Sequence, residues 1–446
     1  MNIYKFTGSE DNSKECKYKI LVYPNITFQK DLEKDSYVVV LGNIIKEIRK
    51  VRDDIHWTIL SPEHIGSLDF ENTNQLILPL PSYPNAMRLH FDQKTIIKAI
   101  DFKKNDYDIV YSHLPEHTLQ LKNVFLNETN IEPKFIGYTH WTEFPEITNY
   151  AATVMDINFL GLLEMEKCGV NTQGQKNLIL KNAKTHFNDD VVNRLNEILE
   201  PQYLGWEIPK YEKETIDKKI IVFNHRPHTY KNYPWFLEQM DKLWKQRKDF
   251  EVWVPLADST DGREYLTNDK YDRVGYFSKL SSCYVGVCAK QKYSGWAISA
   301  TDGMSVGVPY MFLNTDYYRE LANDSGLYYE EKDFVNMINT ILNDERVRDI
   351  WSQKSLQRFE HGKWKNAITP FNNMINDTIE NLPMLKSDTD TYNKVVDFIH
   401  RKKSVTKKDI LHMLNWGVRI SFSGYRNRLR NEPTIRFTKD RYEVIE

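Results

Sequence analysis

Short β-rich apolar runs alternate with helical or polar stretches in two successive sets, which meet at one polar segment, residues 209–219 (PKYEKETIDKK). This alternation is the mark of parallel α/β units, because two parallel neighbours must be joined by a crossover long enough to hold a helix. In the first set the spacing predicts strands over 18–23, 57–60, 75–80, 107–111, 134–139, 156–160 and 177–180, with a helix over 37–51. In the second set strands are expected over 220–224, 250–255, 271–276, 283–288 and 308–312, and helices over 235–246, 301–306 and 333–342. Two such sets predict an α/β chain with two Rossmann-like domains, over 1–208 and 209–385.

The rest of the chain, 386–446, has a different character. Its last 46 residues, 401–446, hold twelve Lys or Arg against five acids, a net +7. With −2 for the whole chain, the other 400 residues carry −9. An acidic body with a basic appendage fits an anchor for a polyanion, nucleic acid or anionic membrane; a solvated basic surface has the same composition. Within this segment a helix is expected over 390–400. A second opens at Thr406 as N-cap with Asp409 at N3, a variant of the capping box. A third starts at Ser421 or Ser423 and ends before Pro433, and a hairpin turns around Lys439 and Asp440. Three short helices followed by a hairpin is the order of a winged helix. That order would place Tyr425, Arg426, Arg428 and Arg430 on a recognition helix, and Arg436, Lys439 and Arg441 on the wing. Winged helices also serve as protein–protein modules.

Several classes are excluded by composition. With 26 Tyr, 21 Phe and 10 Trp there is ample apolar area for packed cores, and 17 Pro with 18 Gly are too few for a low-complexity chain. No window approaches eighteen uninterrupted apolar residues, and the charged N-terminus lacks an apolar leader, so no membrane partner is expected. Cys16, Cys168, Cys283 and Cys288 contain no CxxC pair and read as reduced thiols of a cytoplasmic protein. Absence of a dense His/Asp cluster gives no reason to expect a metal.

Residues 294–309, SGWAISATDGMSVGVP, carry the most chemistry. A turn at Gly295 and Trp296 leads into a helix, whose first N–H groups and dipole favour an anion such as a diphosphate. Asp302 lies one to two turns further on, where it can accept from ribose hydroxyls. The same spacing also fits an ordinary strand–helix–strand unit.

At this stretch the chain resembles the GT-B glycosyltransferases, in particular their large retaining nucleotide-sugar-dependent group. Residues 302–309, DGMSVGVP, match the second half of that group's Glu-x7-Glu motif, whereas Ser294 stands where the first Glu belongs. Upstream, residues 224–232, NHRPHTYKN, are similar to the group's Gly-Arg-x-x-x-x-Lys-Asn stretch. The resemblance implies that Arg226 and Lys231 bind the donor diphosphate, and that Tyr276, Phe277 and Ser278 read the nucleotide base. Two fixed cations neutralise charge on a leaving diphosphate without a metal. In the first half, His113 and Glu116 follow one apolar strand, and His140, Trp141 and Glu143 follow another. His140 is similar in placement to the cleft histidine of this family and of bacteriophage DNA glucosyltransferases, where an Asp occupies the place of Trp141. Such an imidazole would hold a sugar or acceptor hydroxyl, and Glu143 would take the acceptor's proton if the reaction inverts.

Motifs and basic tail together predict a transferase that moves a hexose or pentose from a UDP-sugar to a hydroxymethylated pyrimidine, such as 5-hydroxymethylcytosine, in duplex phage DNA. Two alternatives stay open: a transferase of surface polysaccharide, and a DNA-binding scaffold built on a degenerate GT-B body.

Overall fold

A computed structural model describes residues 4–7, 16–25, 36–62, 73–78, 91–100, 102, 107–129, 133–139, 151–214, 216–289, 296–382, 389–413, 429, 432–438 and 441–445. The chain divides into two compact units. One comprises Met1–Gly169, Asn188–Leu199 and Pro370–Glu446, and the other Val170–Phe187 and Glu200–Thr369.

Eight strands form one sheet, which belongs to the first unit apart from Val170, Glu200 and Pro201: β1 (Tyr4–Thr7), β2 (Tyr18–Tyr23), β3 (Ile55–Pro62), β4 (Thr73–Leu78), β5 (Ile109–Ser112), β6 (Lys134–Thr139), β7 (Lys167–Val170) and β8 (Leu199–Pro201). Their order is β1-β4-β3-β2-β5-β6-β7-β8. The pairs β2/β3, β3/β4, β2/β5 and β5/β6 are parallel, while β1 runs antiparallel to β4. The helix Ser36–Arg49 crosses from β2 to β3 and buries Leu41, Ile44, Ile45 and Ile48. Chain direction across the sheet switches between β2 and β5, where Tyr23 pairs with Ser112.

The second unit is a six-stranded sheet of β9 (Lys219–Val222), β10 (Phe250–Trp253), β11 (Leu266–Thr267), β12 (Val285–Cys288), β13 (Tyr310–Leu313) and β14 (Leu327–Tyr329). Every pair is parallel and the order is β11-β10-β9-β12-β13-β14, the Rossmann order with its switch point between β9 and β12. Both central strands are buried at nearly every position, as expected where helices cover both faces.

Three expected strands are helices. Residues 156–160 lie in Ala151–Leu163, 177–180 in Gln173–Ala183, and 271–276 open Arg273–Ser281. In the first, an apolar run with no amphipathic period suits a buried helix as well as a strand, and length decides. In the second, Thr172 caps the Gln175 N–H at 2.9 Å, and Gln175, Ile179 and Ala183 are buried at a spacing of four. In the third, Asp272 caps the Gly275 N–H at 2.8 Å, so YDRVGY is a cap and a first turn.

The C-terminal segment contains the helices Thr389–Lys402 and Lys407–Met413 and an antiparallel sheet, in the order β15-β17-β16, of β15 (Ser404–Thr406), β16 (Ile435–Thr438) and β17 (Arg441–Val444). The expected capping box is present: Thr406 N–H donates to Asp409 Oδ2 at 2.8 Å, and Asp409 N–H to Thr406 Oγ1 at 3.2 Å. Tyr392, Val395, Ile399, Val405, Ile410, Leu429, Ile435 and Tyr442 form its core. The expected hairpin is β16–β17, and β15 is an additional strand. The expected third helix lies outside the described residues apart from Leu429, which is helical, and Glu432, which is not. No described helix is long and apolar enough to cross a membrane.

Candidate functional site

Ligands of parallel α/β sheets bind beyond the carboxyl ends of the strands, at the point where strand order reverses. In the second unit that point is occupied by three pieces of chain: the segment after β9, the end of β12, and the helix Ile298–Ser305.

Leaving β9, the chain places Asn224 and His225 in buried positions and Arg226 in an exposed one. A 3₁₀ turn, Thr229–Lys231, capped by the His228 side chain, then delivers Lys231. Asn232 adopts a left-handed conformation at φ 56°, and the helix Tyr233–Gln246 starts with Pro234 in its first turn. Among the described residues Arg226 makes no ion pair. Burial holds the Lys231 ammonium down at about 8, with the Arg226 charge adding to the effect and Cys288 opposing it. The two cations are therefore close enough to repel, which favours a shared anion.

Ala297 is the N-cap of the 298–305 helix and offers no side-chain cap; its carbonyl accepts from Ala300 and Thr301. Asn224 Nδ2 donates to the Ser299 carbonyl at 2.6 Å and to the Tyr276 hydroxyl at 2.8 Å, while Tyr310 O–H donates to Asn224 Oδ1 at 2.9 Å. His225 Nδ1 lies 2.7 Å from Ser299 Oγ, and its Nε2 lies 3.1 Å from Cys288 Sγ. The Tyr310 ring is slotted between two glycines: a Cβ on Gly286 would stand 2.5 Å from its Cε1, and one on Gly303 2.6 Å from its Cζ. Gly303 of the DGMSVGVP stretch is thus small so that this ring can pass. Gly307, at φ 82°, ends the helix, and its carbonyl accepts from Ser352 Oγ at 2.6 Å.

Asp302 lies one turn into this helix. Burial pushes its carboxyl up to about 7, against the Arg273 charge and a hydrogen bond from Tyr276, both of which lower it. Burial, helped by the Lys231 charge, holds His225 down at about 3, although the Val287 carbonyl raises it. The imidazole is therefore neutral at physiological pH.

The other expected residues fall in several places. Trp296 is buried, with its ring stacked on Trp206 at 6.1 Å and against Tyr203 at 5.5 Å. Tyr276, Phe277 and Ser278 are on the helix Arg273–Ser281, not at a strand end. Tyr276 joins the Asn224 network, Phe277 is fully buried against Tyr211, and Ser278 Oγ donates to the Glu212 carbonyl. Gly295, His140, Trp141 and Glu143 lie outside the described residues, as do Tyr425, Arg426, Arg428, Arg430 and Lys439. Arg436 stands 3.5 Å from Glu443, and Arg441 Nε donates to Ser404 Oγ at 2.8 Å. At the first unit's switch point His113, Glu116 and His117 are buried, and His117 Nδ1 is 2.9 Å from the Tyr23 hydroxyl. The described residues hold no group of three His, Cys, Asp or Glu able to bind a metal ion.

Sequence reading had no means to find Ser299, Arg273 or Tyr310. Their partners are many residues distant, and only the small residues at 286 and 303 hint at a ring between them.

No family model matches the chain, and neither does any curated protein. Solved structures do. A sucrose-phosphate synthase from Thermosynechococcus elongatus superposes at a TM-score of 0.62 with 13% identity, over 82% of this chain and all of the other. HepE from Anabaena, in complex with UDP and glucose, superposes at 0.61 with 10% identity, over 81% of this chain and all of the other. The E. coli trehalose-6-phosphate synthase bound with UDP-2-fluoro glucose superposes at 0.57 with 12% identity, over 82% of this chain and all of the other. The likeness is one of fold, the GT-B arrangement of two parallel-sheet Rossmann-like domains.

Proposed function

We propose that the chain is a glycosyltransferase that moves a sugar from UDP to the hydroxymethyl group of a modified pyrimidine, such as 5-hydroxymethylcytosine, in duplex DNA. The observation that carries the donor half is the convergence of Arg226 and Lys231 with the 298–305 helix, whose N-cap offers no side-chain bond, at the switch point of a Rossmann-ordered sheet. That combination suits a diphosphate. The name of a UDP and glucose complex on one structure of this fold and of a UDP-sugar analogue on another supports the choice of donor.

In the proposed reaction the bond from the sugar's anomeric carbon to the diphosphate oxygen breaks, and the acceptor's hydroxymethyl oxygen forms the new bond. Arg226, Lys231 and the first N–H groups of the 298–305 helix neutralise the charge that develops on the departing diphosphate. Asp302, as the carboxylate, accepts from ribose hydroxyls. In a retaining course the acceptor proton leaves on the diphosphate, so no side-chain base is needed.

The acceptor half rests on the basic segment 386–446. Residues 401–446 carry +7 against −9 for the other 400, and the segment's sequence of helix, strand, helix and terminal hairpin suits a winged helix. We place DNA contacts on Tyr425, Arg426, Arg428, Arg430, Arg436, Lys439 and Arg441, the sugar or acceptor hydroxyl on His140, and the nucleotide base near Tyr276.

The test incubates the protein with hydroxymethylated or plain DNA and a panel of nucleotide sugars, and reads nucleoside mass. A mass gain of one sugar on hydroxymethylated DNA alone is expected. Transfer to neither DNA, with donor hydrolysis retained, would move the acceptor to a polysaccharide. No turnover of any donor, with DNA bound, would leave a scaffold.

A further inference from the structure

Residue 225 breaks the pattern that surrounds it. The chain needs only a compact turn between β9 and Arg226, yet it places an imidazole there, 4% exposed, touching two other elements. Cys288, fully buried at the end of β12, lies 3.1 Å from Nε2, and Ser299 Oγ, in the first turn of the 298–305 helix, lies 2.7 Å from Nδ1. The Val287 carbonyl faces the same ring. A buried polar ring with both nitrogens engaged is a rigid strut, because releasing either contact leaves a desolvated group unpaired.

The strut acts on the part of the helix that matters. Ser299 is held twice: its carbonyl by Asn224 and its hydroxyl by His225, residues adjacent in the chain. Both ties come from the segment that also carries Arg226 and, five residues later, Lys231. Orientation of the first-turn N–H groups and placement of the two cations are therefore fixed by one piece of chain. Small errors in such a cradle are costly, since an anion must meet all its donors at once.

We propose that His225 is a positioning residue that, through Ser299, aligns the first turn of the 298–305 helix with Arg226 and Lys231 for binding the diphosphate of the donor, an inference that rests on the donor site proposed above. His225 touches no substrate. Its effect is on the diphosphate and not on the nucleoside.

The test uses the full-length protein and three probes, UDP, inorganic pyrophosphate and uridine, with calorimetric titration of wild type, H225Q, S299A and the double variant. Ser299→Ala keeps a good helix former in the first turn, so it remains informative if H225Q folds poorly; melting temperatures are read alongside. The expected result is a UDP and pyrophosphate affinity about tenfold weaker in each single variant, little further loss in the double variant, and unchanged uridine affinity. Equal losses for uridine and pyrophosphate, or fully additive losses, would overturn the proposal by reducing His225 to general support of the fold. Unchanged UDP affinity in S299A would overturn it too. A wild-type protein that binds neither UDP nor pyrophosphate would instead refute the donor site itself, and the proposal with it.

Discussion

Replacing Gly303 by Ala puts a methyl group into the Tyr310 ring, since a Cβ there would overlap Cε2 and the hydroxyl oxygen and lie 2.6 Å from Cζ. The ring has no slack on its other face, where Gly286 is equally tight. It must therefore tilt out, and its hydrogen bond to Asn224 Oδ1 at 2.9 Å is lost. Overpacking of this kind costs about 1–3 kcal/mol. Leaving a buried acceptor without its donor costs about 1–3 kcal/mol more. The expected total is about 2–6 kcal/mol, read from the urea midpoint at unchanged slope. Tyr310→Phe removes only the hydroxyl and should cost the second share alone. Combining G303A with Tyr310→Leu, which vacates the space, should cost less than the two single changes together. A G303A protein as stable as wild type, or strict additivity with Y310L, would refute the packing argument.

Three further outcomes are expected. Nucleoside-diphosphate binding should be bell-shaped in pH, rising as Asp302 ionises near 7 and falling as Lys231 loses its proton near 8; Asp302→Asn removes the acid limb in a calorimetric pH series. Stability should fall on acidification, because burial and the Lys19 charge hold His56 down at about 4 in the folded state against 6.5. The unfolded chain takes up the proton first, so between about 6.5 and about 4 each pH unit removes ~1.4 kcal/mol; His56→Gln should flatten that share of the slope in urea titrations. Thr406→Ala removes the capping box, at a cost of about 1 kcal/mol, and should speed amide exchange in the helix Lys407–Met413 roughly fivefold.

Much of the architecture was legible because parallel sheets advertise themselves. The strands at 18–23 and 134–139 are read to the residue, since continuous apolar runs bounded by polar turns admit little else. What misled was the same signal in another setting. The run INFL is as apolar in a buried helix as in a strand, and the caps Thr172 and Asp272 that decide 177–180 and 271–276 are single polar residues. Short strands such as β11, with two residues, and β15, with three, are defined by their partners and leave little trace in sequence. At the candidate site Arg226, Lys231 and Asp302 were visible as a spaced motif. The Asn224–Tyr276–Tyr310 network and the His225 bridge were not, because they join residues more than fifty positions apart.

The donor slot is tested most directly by titrating UDP into wild type, Arg226→Ala and Lys231→Ala proteins at one pH and salt. The account predicts saturable binding by wild type and an affinity about tenfold or more weaker in each variant, with melting temperatures unchanged. Equal UDP affinity in all three proteins, or none in the wild type, would contradict it.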